Sequence, residues 1–149
     1  MDDNDQTVKA TEKIEWQSGL LRKDNKDILW TLDLEGKVTY VSPSVAAHTG
    51  YRPEEFQGMP FEHFLAPESA VRARKMLNDQ LAQPPEKQLD SIILELQEKT
   101  KSGLCIDVEI NAVRTNDGTG QPAGFIGITR NITARKHAED AQRDREDRF

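Results

Sequence analysis

The sequence predicts an α+β domain, an antiparallel sheet with its helices gathered on one face. Three observations carry that reading. Apolar side chains alternate with a two-residue period in two runs near the start and three near the end; proline-led helical spacing fills the middle; and turn residues separate neighbouring strands. A chain of 149 residues has room for one ordinary domain of roughly 100–150 residues plus terminal appendages.

The opening segment, about Asp5–Lys26, sets Val8, Ile14, Leu20 and Leu21 among charged residues. Ile14 and Leu21 fall seven apart, near two helical turns, so an amphipathic helix is expected whose apolar stripe is too thin to fold alone. From Ile28 the period changes. Ile28, Trp30, Leu32 and Leu34 alternate with Leu29, Thr31 and Asp33, LEGKV supplies a tight-turn glycine, and alternation resumes over Val38–Ser42. This is a hairpin. Ser42 and Ser44 stand where a hydroxyl can cap a short helix that ends at Gly50, and Pro53 opens another single turn.

In PFEHFLAPESAVRARKMLNDQLAQPP, Pro67 begins the longest internal helix, with Ala70, Leu77 and Leu81, and Val71 or Arg74 between them, on one face; Pro84-Pro85 stop it. Three strands are expected next, over Leu89–Glu98, Leu104–Arg114 and Gly124–Ile132, separated by the turns KTKSG and NDGTGQP. In the second of these Cys105, Asp107, Glu109 and Asn111 share one face and Ile106, Val108, Ile110 and Ala112 the other.

Composition narrows the function. A net charge of −6, from 20 Lys+Arg against 26 Asp+Glu, argues against a general nucleic-acid binder, which needs a basic face to displace counterions. No apolar run approaches the roughly 20 residues of a membrane span. A single cysteine excludes an internal disulfide, and MDDNDQTVKA lacks the layout of a secretory signal, so a reducing, cytoplasmic setting is expected.

Two stretches carry a resemblance. DLEGKVTYVSPSVAAHTGYRPEEFQGMPFEHFLAPES has D-x-x-G before the second strand, S-P-x-x-x-x-x-x-G-Y after it, and E-E-x-x-G leading to P-E at the long helix; GFIGITRNITARKHAE ends the last strand at a helical junction. Together they resemble the PAS sensory domain family over about Ile28–Thr133. The resemblance implies a five-stranded antiparallel sheet of order 2-1-5-4-3, with an N-terminal amphipathic helix and a C-terminal linker helix added. It divides the chain into a helical cap (1–26), the PAS domain (27–133) and the start of a signalling helix (134–149). It also implies a sensory module from a multidomain bacterial-type signalling protein, passing a signal to an effector such as a histidine kinase or diguanylate cyclase. Asn131 stands where the family junction usually has Asp, so an ion pair there gives way to a hydrogen bond.

For a ligand cavity, alternation and helical spacing nominate Leu32, Phe56, Phe64, Leu77, Val108, Ile110 and Ile126 as lining; a packed core would show the same pattern. No cofactor is assigned. Haem is disfavoured because Glu68–Gln83 holds no axial histidine, and covalent flavin photochemistry because the sole cysteine, Cys105, is on a strand among carboxylates. His48 and His63 are expected in packing or surface roles, and Arg72, Arg74 and Lys75 on a solvated helix face. The three histidines lie in separate elements without catalytic partners, so the fragment reads as non-catalytic. No metal site is expected.

At Asn131, Ile132 and Thr133 the last strand meets a charged helix without a loop, and Asn131 or Thr133 can cap that helix. Ala134, Ala138 and Ala141, with Glu139 and Arg143, suit the first turns of a coiled-coil linker. A homodimer is expected through Val8, Ile14 and Leu21 and the sheet face bearing Cys105, Asp107 and Glu109. Two rival readings stand beside the sensor: a ligand-free dimerisation spacer, and a small enzyme on the same layout.

Overall fold

Alternation along the sequence becomes a sheet with two unlike faces. The computed structural model describes residues 27–147, and the expected N-terminal helix with Val8, Ile14 and Leu21 lies outside them. Strands β1 (Ile28–Leu32), β2 (Val38–Val41), β3 (Ile92–Lys99), β4 (Cys105–Asn116) and β5 (Pro122–Asn131) pair antiparallel in the order β2-β1-β5-β4-β3. Between β2 and β3 come α1 (Val45–Thr49), α2 (Pro53–Phe56), a 3-10 turn at Phe61–Phe64, α3 (Pro67–Leu81) and a second 3-10 turn at Pro85–Lys87. Helix α4 (Thr133–Asp147) follows β5 with one residue between them.

Two of the three tight hairpins, β1–β2 and β4–β5, use one device. Asp33 accepts the backbone N–H groups of Glu35 and Lys37, each at 2.9 Å, and Asp117 accepts those of Thr119 (2.8 Å) and Gln121 (3.1 Å). Each aspartate thus folds the chain back within four residues. The D-x-x-G spacing that reads as a motif is this side-chain-to-backbone turn, repeated at Asp117–Gly120.

The core lies between the sheet and the helices. Ile28, Val38 and Val41 pack with Val45, Phe56 and Phe64, while Leu96 and Val108 pack with Leu65 and Ala73. On the opposite face Leu29, Ile126 and Ile128 form a separate buried cluster with Tyr40 and Val113. This corrects the expected placement of Ile126. In β5 Ile126 lies opposite Val113, whereas Phe125 lies opposite Arg114 and Gly127 opposite Ala112, and residues opposed across a ladder point to the same side. Central strand β5 is buried on both faces from Gly124 to Thr129, so polarity along the sequence carries no face signal there.

Helix α3 is strapped to the sheet at both ends. At its start Ser69 Oγ accepts the Gln97 N–H at 2.8 Å, and the Ala66 N–H reaches the Gln97 carbonyl at 2.9 Å. At its end Arg114 Nη1 donates to the Gln80 and Gln83 carbonyls at 2.7 and 2.6 Å. The buried stripe is Ser69, Ala73, Leu77 and Gln80, with Ala70 and Leu81 partly buried beside it. Val71, expected near that face, is 70% exposed. The straps rotate the helix so that two polar residues face inward, which hydropathy spacing does not reveal.

The cap of α1 also differs from expectation. Ser44 Oγ donates to the Asp27 carbonyl at 2.7 Å and Ser42 Oγ accepts the Leu29 N–H at 2.9 Å, so both hydroxyls tie the helix entrance to β1 and its approach and neither caps the helix. Gly50 ends it with φ +79°, in the left-handed region that a Cβ disfavours.

Candidate functional site

The helices do not fill all of the space above the sheet. A cavity of about 110 Å³ remains. Trp30 and Leu32 of β1, Ile110 of β4 and Phe125 of β5 contribute its floor; Val45, Phe56, Phe64, Met76 and Leu77 contribute its roof. Phe56 and Phe64 stack with ring centroids 3.8 Å apart, and Tyr51 meets both edge-on at 5.8 and 5.3 Å, which makes that wall rigid. An engineered apolar cavity of about 150 Å³ takes up benzene, so this space suits a molecule of comparable or slightly smaller size.

Trp30 can lie flat on the floor because Gly127 is beneath it. Its Nε1 donates to Thr129 Oγ1 at 2.8 Å. A Cβ on Gly127 would stand 2.5 Å from Trp30 Cζ2 and 2.9 Å from the Asn111 carbonyl oxygen. Gly127→Ala is therefore expected to displace the indole into the cavity and cost about 1–3 kcal/mol, the usual range for overpacking, in a urea titration. Unchanged stability with unchanged indole emission would contradict this placement of Trp30.

The strand that floors the cavity continues into the exit helix. The Ile132 N–H donates to the Asp107 carbonyl at 2.9 Å, and Thr133 Oγ1 accepts the Asp107 N–H at 3.2 Å, so β4 grips the joint through one residue. Asn131 Oδ1 accepts the Thr133 N–H at 2.9 Å, one of the helix-start donors that would otherwise lack a partner. Ile132 is buried. Just beyond, Arg135 and Lys136 each reach Glu95 at 2.7 Å, and Arg135 lies 3.7 Å from Glu109. Glu95 and Glu109 are direct cross-strand partners, a like-charge pair that destabilises a ladder unless neutralised. The first turn of α4 supplies the neutralising charge, and hydrogen bonding to Lys136 holds the Glu95 carboxyl below its ordinary range.

A family model described as PAS domain matches residues 26–134. The chain belongs to the PAS domain family. Sporulation kinase C of Bacillus subtilis (strain 168) is 24% identical over 147 residues, a match covering 94% of this chain and 33% of that protein, so the chain spans about a third of the relative's length. Among solved structures, a sensory box histidine kinase/response regulator from Burkholderia thailandensis E264 is 22% identical with a TM-score of 0.63, covering 83% of this chain and 89% of that one. The N-terminal domain of a diguanylate cyclase with PAS/PAC sensor from Marinobacter aquaeolei is 14% identical with a TM-score of 0.63, covering 74% and 99%. At such identities the two structures establish the shared fold.

Within this PAS domain, Leu32, Phe56, Phe64, Leu77 and Ile110 come together around the cavity. Val108 and Ile126 do not. Val108 faces the helices but is fully buried between Leu65, Ala73 and Leu96, and Ile126 belongs to the opposite face. Cys105 is exposed on β4. His63 packs edge-on against Phe64 at 5.0 Å, and His48 Nδ1 is buried with no hydrogen-bond partner among the described residues; neither ring lines the cavity. Arg74 binds Glu62 through two nitrogens, donates to the Glu35 carbonyl at 3.0 Å and lies 4.8 Å over the Phe61 ring. It is a clamp on the hairpin turn, while Arg72 bonds the Glu95 carbonyl at 3.1 Å. No group of three or more potential metal ligands occurs among the described residues.

Sequence reasoning passed over Glu98, which also lines the cavity. Its parity with Ile92, Leu94 and Leu96 was the available signal. Burial pushes its carboxyl up from 4.5 to about 7. The folded domain then keeps a proton that the unfolded chain releases, so stability falls as pH rises from about 4.5 and levels off above about 7. At about 1.4 kcal/mol per pH unit the loss totals roughly 3 kcal/mol. Glu62 and Asp117 are held below the ordinary range by hydrogen bonds from Arg74 and Thr119, so their stabilisation disappears only at more acid pH. Urea midpoints across pH 5 to 8 are expected to decline in the native protein relative to Glu98→Gln; parallel profiles would contradict the burial of a titrating carboxyl.

Proposed function

We propose that this PAS domain is a sensory module that binds a small molecule in its helix-side cavity and relays occupancy through α4 to an effector of the histidine kinase or diguanylate cyclase class. The observation that carries the reading is continuity: β5 contributes Phe125 and Thr129 to the cavity and enters α4 through Ile132 alone. A ligand that presses on the floor acts on the strand whose end sets the helix. The domain itself acts by binding and not by catalysis. A cytoplasmic setting and a homodimer built by the segment before Lys26 complete the proposal. Among the described residues no helix is long and apolar enough to cross a membrane.

Two measurements test it. Native mass spectrometry of gently purified protein, paired with a thermal-shift ligand screen, is expected to find a small molecule or a stabilising one; a blank in both would favour the dimerisation-spacer reading. For the relay, Arg135→Ala combined with Lys136→Ala is expected to speed amide exchange in the first turn of α4 at low ionic strength. The difference should shrink in 1 M salt, where screening falls to about 3 Å. Equal exchange at both salts would show that the helix start is held without these charges. Light scattering on a chain lacking residues 1–25 tests the dimer, with a monomer mass expected.

A further inference from the structure

Glu98 is the one charged side chain in the cavity wall among the described residues. It is 8% exposed, and no hydrogen bond or ion pair of its carboxyl occurs among them. The other two buried charged residues among those described have partners: Asp27 pairs with Arg130 at 3.0 Å, and Arg114 donates through Nη1 to the carbonyls ending α3, although its Nη2 meets none among the described residues. A polar group taken out of water without a partner is costly, and the cost is recovered when a partner arrives. Around it the wall is almost wholly apolar, with Phe64, Leu65, Leu96 and Ile110 among its lining. Among the described residues the other polar wall residue, Thr129, already accepts the Trp30 N–H.

We propose that Glu98 is the specificity-determining contact of the cavity, accepting a hydrogen bond from a small, otherwise apolar ligand that carries one O–H or N–H donor. This rests on the ligand-cavity reading above. Protonated or ionised, the carboxyl retains an acceptor oxygen, so a neutral donor is bound in either state. A cavity near benzene size limits the apolar part to one small ring or a short branched chain. A purely apolar molecule of that size fills the space and leaves Glu98 unanswered.

Phenol and toluene test this, since they have nearly the same shape and differ in a hydroxyl against a methyl. Calorimetric titration of each into the full chain, into Glu98→Leu and into Glu98→Gln yields the ratio of toluene to phenol dissociation constants for each protein. Using the ratio cancels the difference in how water solvates the two probes. The ratio is expected to fall about tenfold or more from the native protein to Glu98→Leu, the effect of losing one hydrogen bond to a carboxyl group. Glu98→Gln, which keeps a carbonyl acceptor and the side-chain volume, should fall between them. If both probes bind with one ratio in all three proteins, the role of Glu98 is overturned while the cavity reading stands. If neither probe binds any of them, the cavity reading falls and this inference with it.

Discussion

Truncating Phe64 to alanine is expected to lower the unfolding free energy by about 3–5 kcal/mol, towards the lower end of that range. The ring is 4% exposed, stacks on Phe56 and meets Tyr51 and His63 edge-on, so its removal deletes three ring contacts and an apolar burial together. One face already borders the cavity, so fewer packing contacts are lost than from a ring enclosed on every side. The volume released joins the existing cavity, where Tyr51 and Phe56 are too rigid to collapse into it. Urea unfolding followed by circular dichroism measures the loss. A change below about 1 kcal/mol would mean that the aromatic wall is loosely packed.

Replacing Arg114 by alanine is expected to cost about 3 kcal/mol, from three charge-assisted hydrogen bonds and the packing of the side-chain stem. Its Nη1 serves two carbonyls at the end of α3, where cations are favoured, and its Nε serves Asn116 Oδ1 at 3.0 Å. Nη2 is buried with no partner among the described residues, and that desolvation offsets part of the gain. Lysine should not rescue the variant, because one ammonium cannot reproduce the planar fork. Amide exchange at the C-terminal turn of α3 should rise in Arg114→Ala and Arg114→Lys alike. Full rescue by lysine would reduce the role of Arg114 to its charge.

Much of the fold was legible because the signals were local. Alternation over β3 and β4 assigned their faces: Ile92, Leu96, Val108 and Ala112 are buried on one side, and Cys105 is exposed on the other. The turns at LEGKV and NDGTGQP and the helix start near Ala134 were placed from local residues, because the bonds that make them reach no further than four residues; that Asp33 and Asp117 accept those bonds, and that Asn131 rather than Thr133 does so at the helix start, came from the structure. Five of the seven nominated cavity residues line it. Of the charge pairs expected along α4, Glu139 joins Arg135 at 3.6 Å and Arg143 joins Asp140 at 3.1 Å, a different pairing from the anticipated Glu139 with Arg143.

What escaped has a common cause. Val71 and Ile126 are as hydrophobic as the residues that reached the cavity, but α3 is turned by straps from Gln97 and Arg114, and β5 is apolar on both faces. Glu98 and Arg114 close two of the expected strands with no role assigned from the sequence, and both are buried in the fold. Their burial is set by distant segments: the Gln80 and Gln83 carbonyls lie 34 and 31 positions from Arg114, and Glu98 shares its cavity with Phe56 and Phe64.

By itself, then, the sequence determined the order of the elements, their turns, and the loopless passage from the last strand into a charged helix, because each depends on neighbours within one or two turns of chain. Tertiary structure alone decided which face of β5 looks into the cavity, how α3 is rotated, and that a lone carboxyl stands in an apolar wall. Those outcomes depend on cross-strand register and on contacts between distant segments, which no local period encodes.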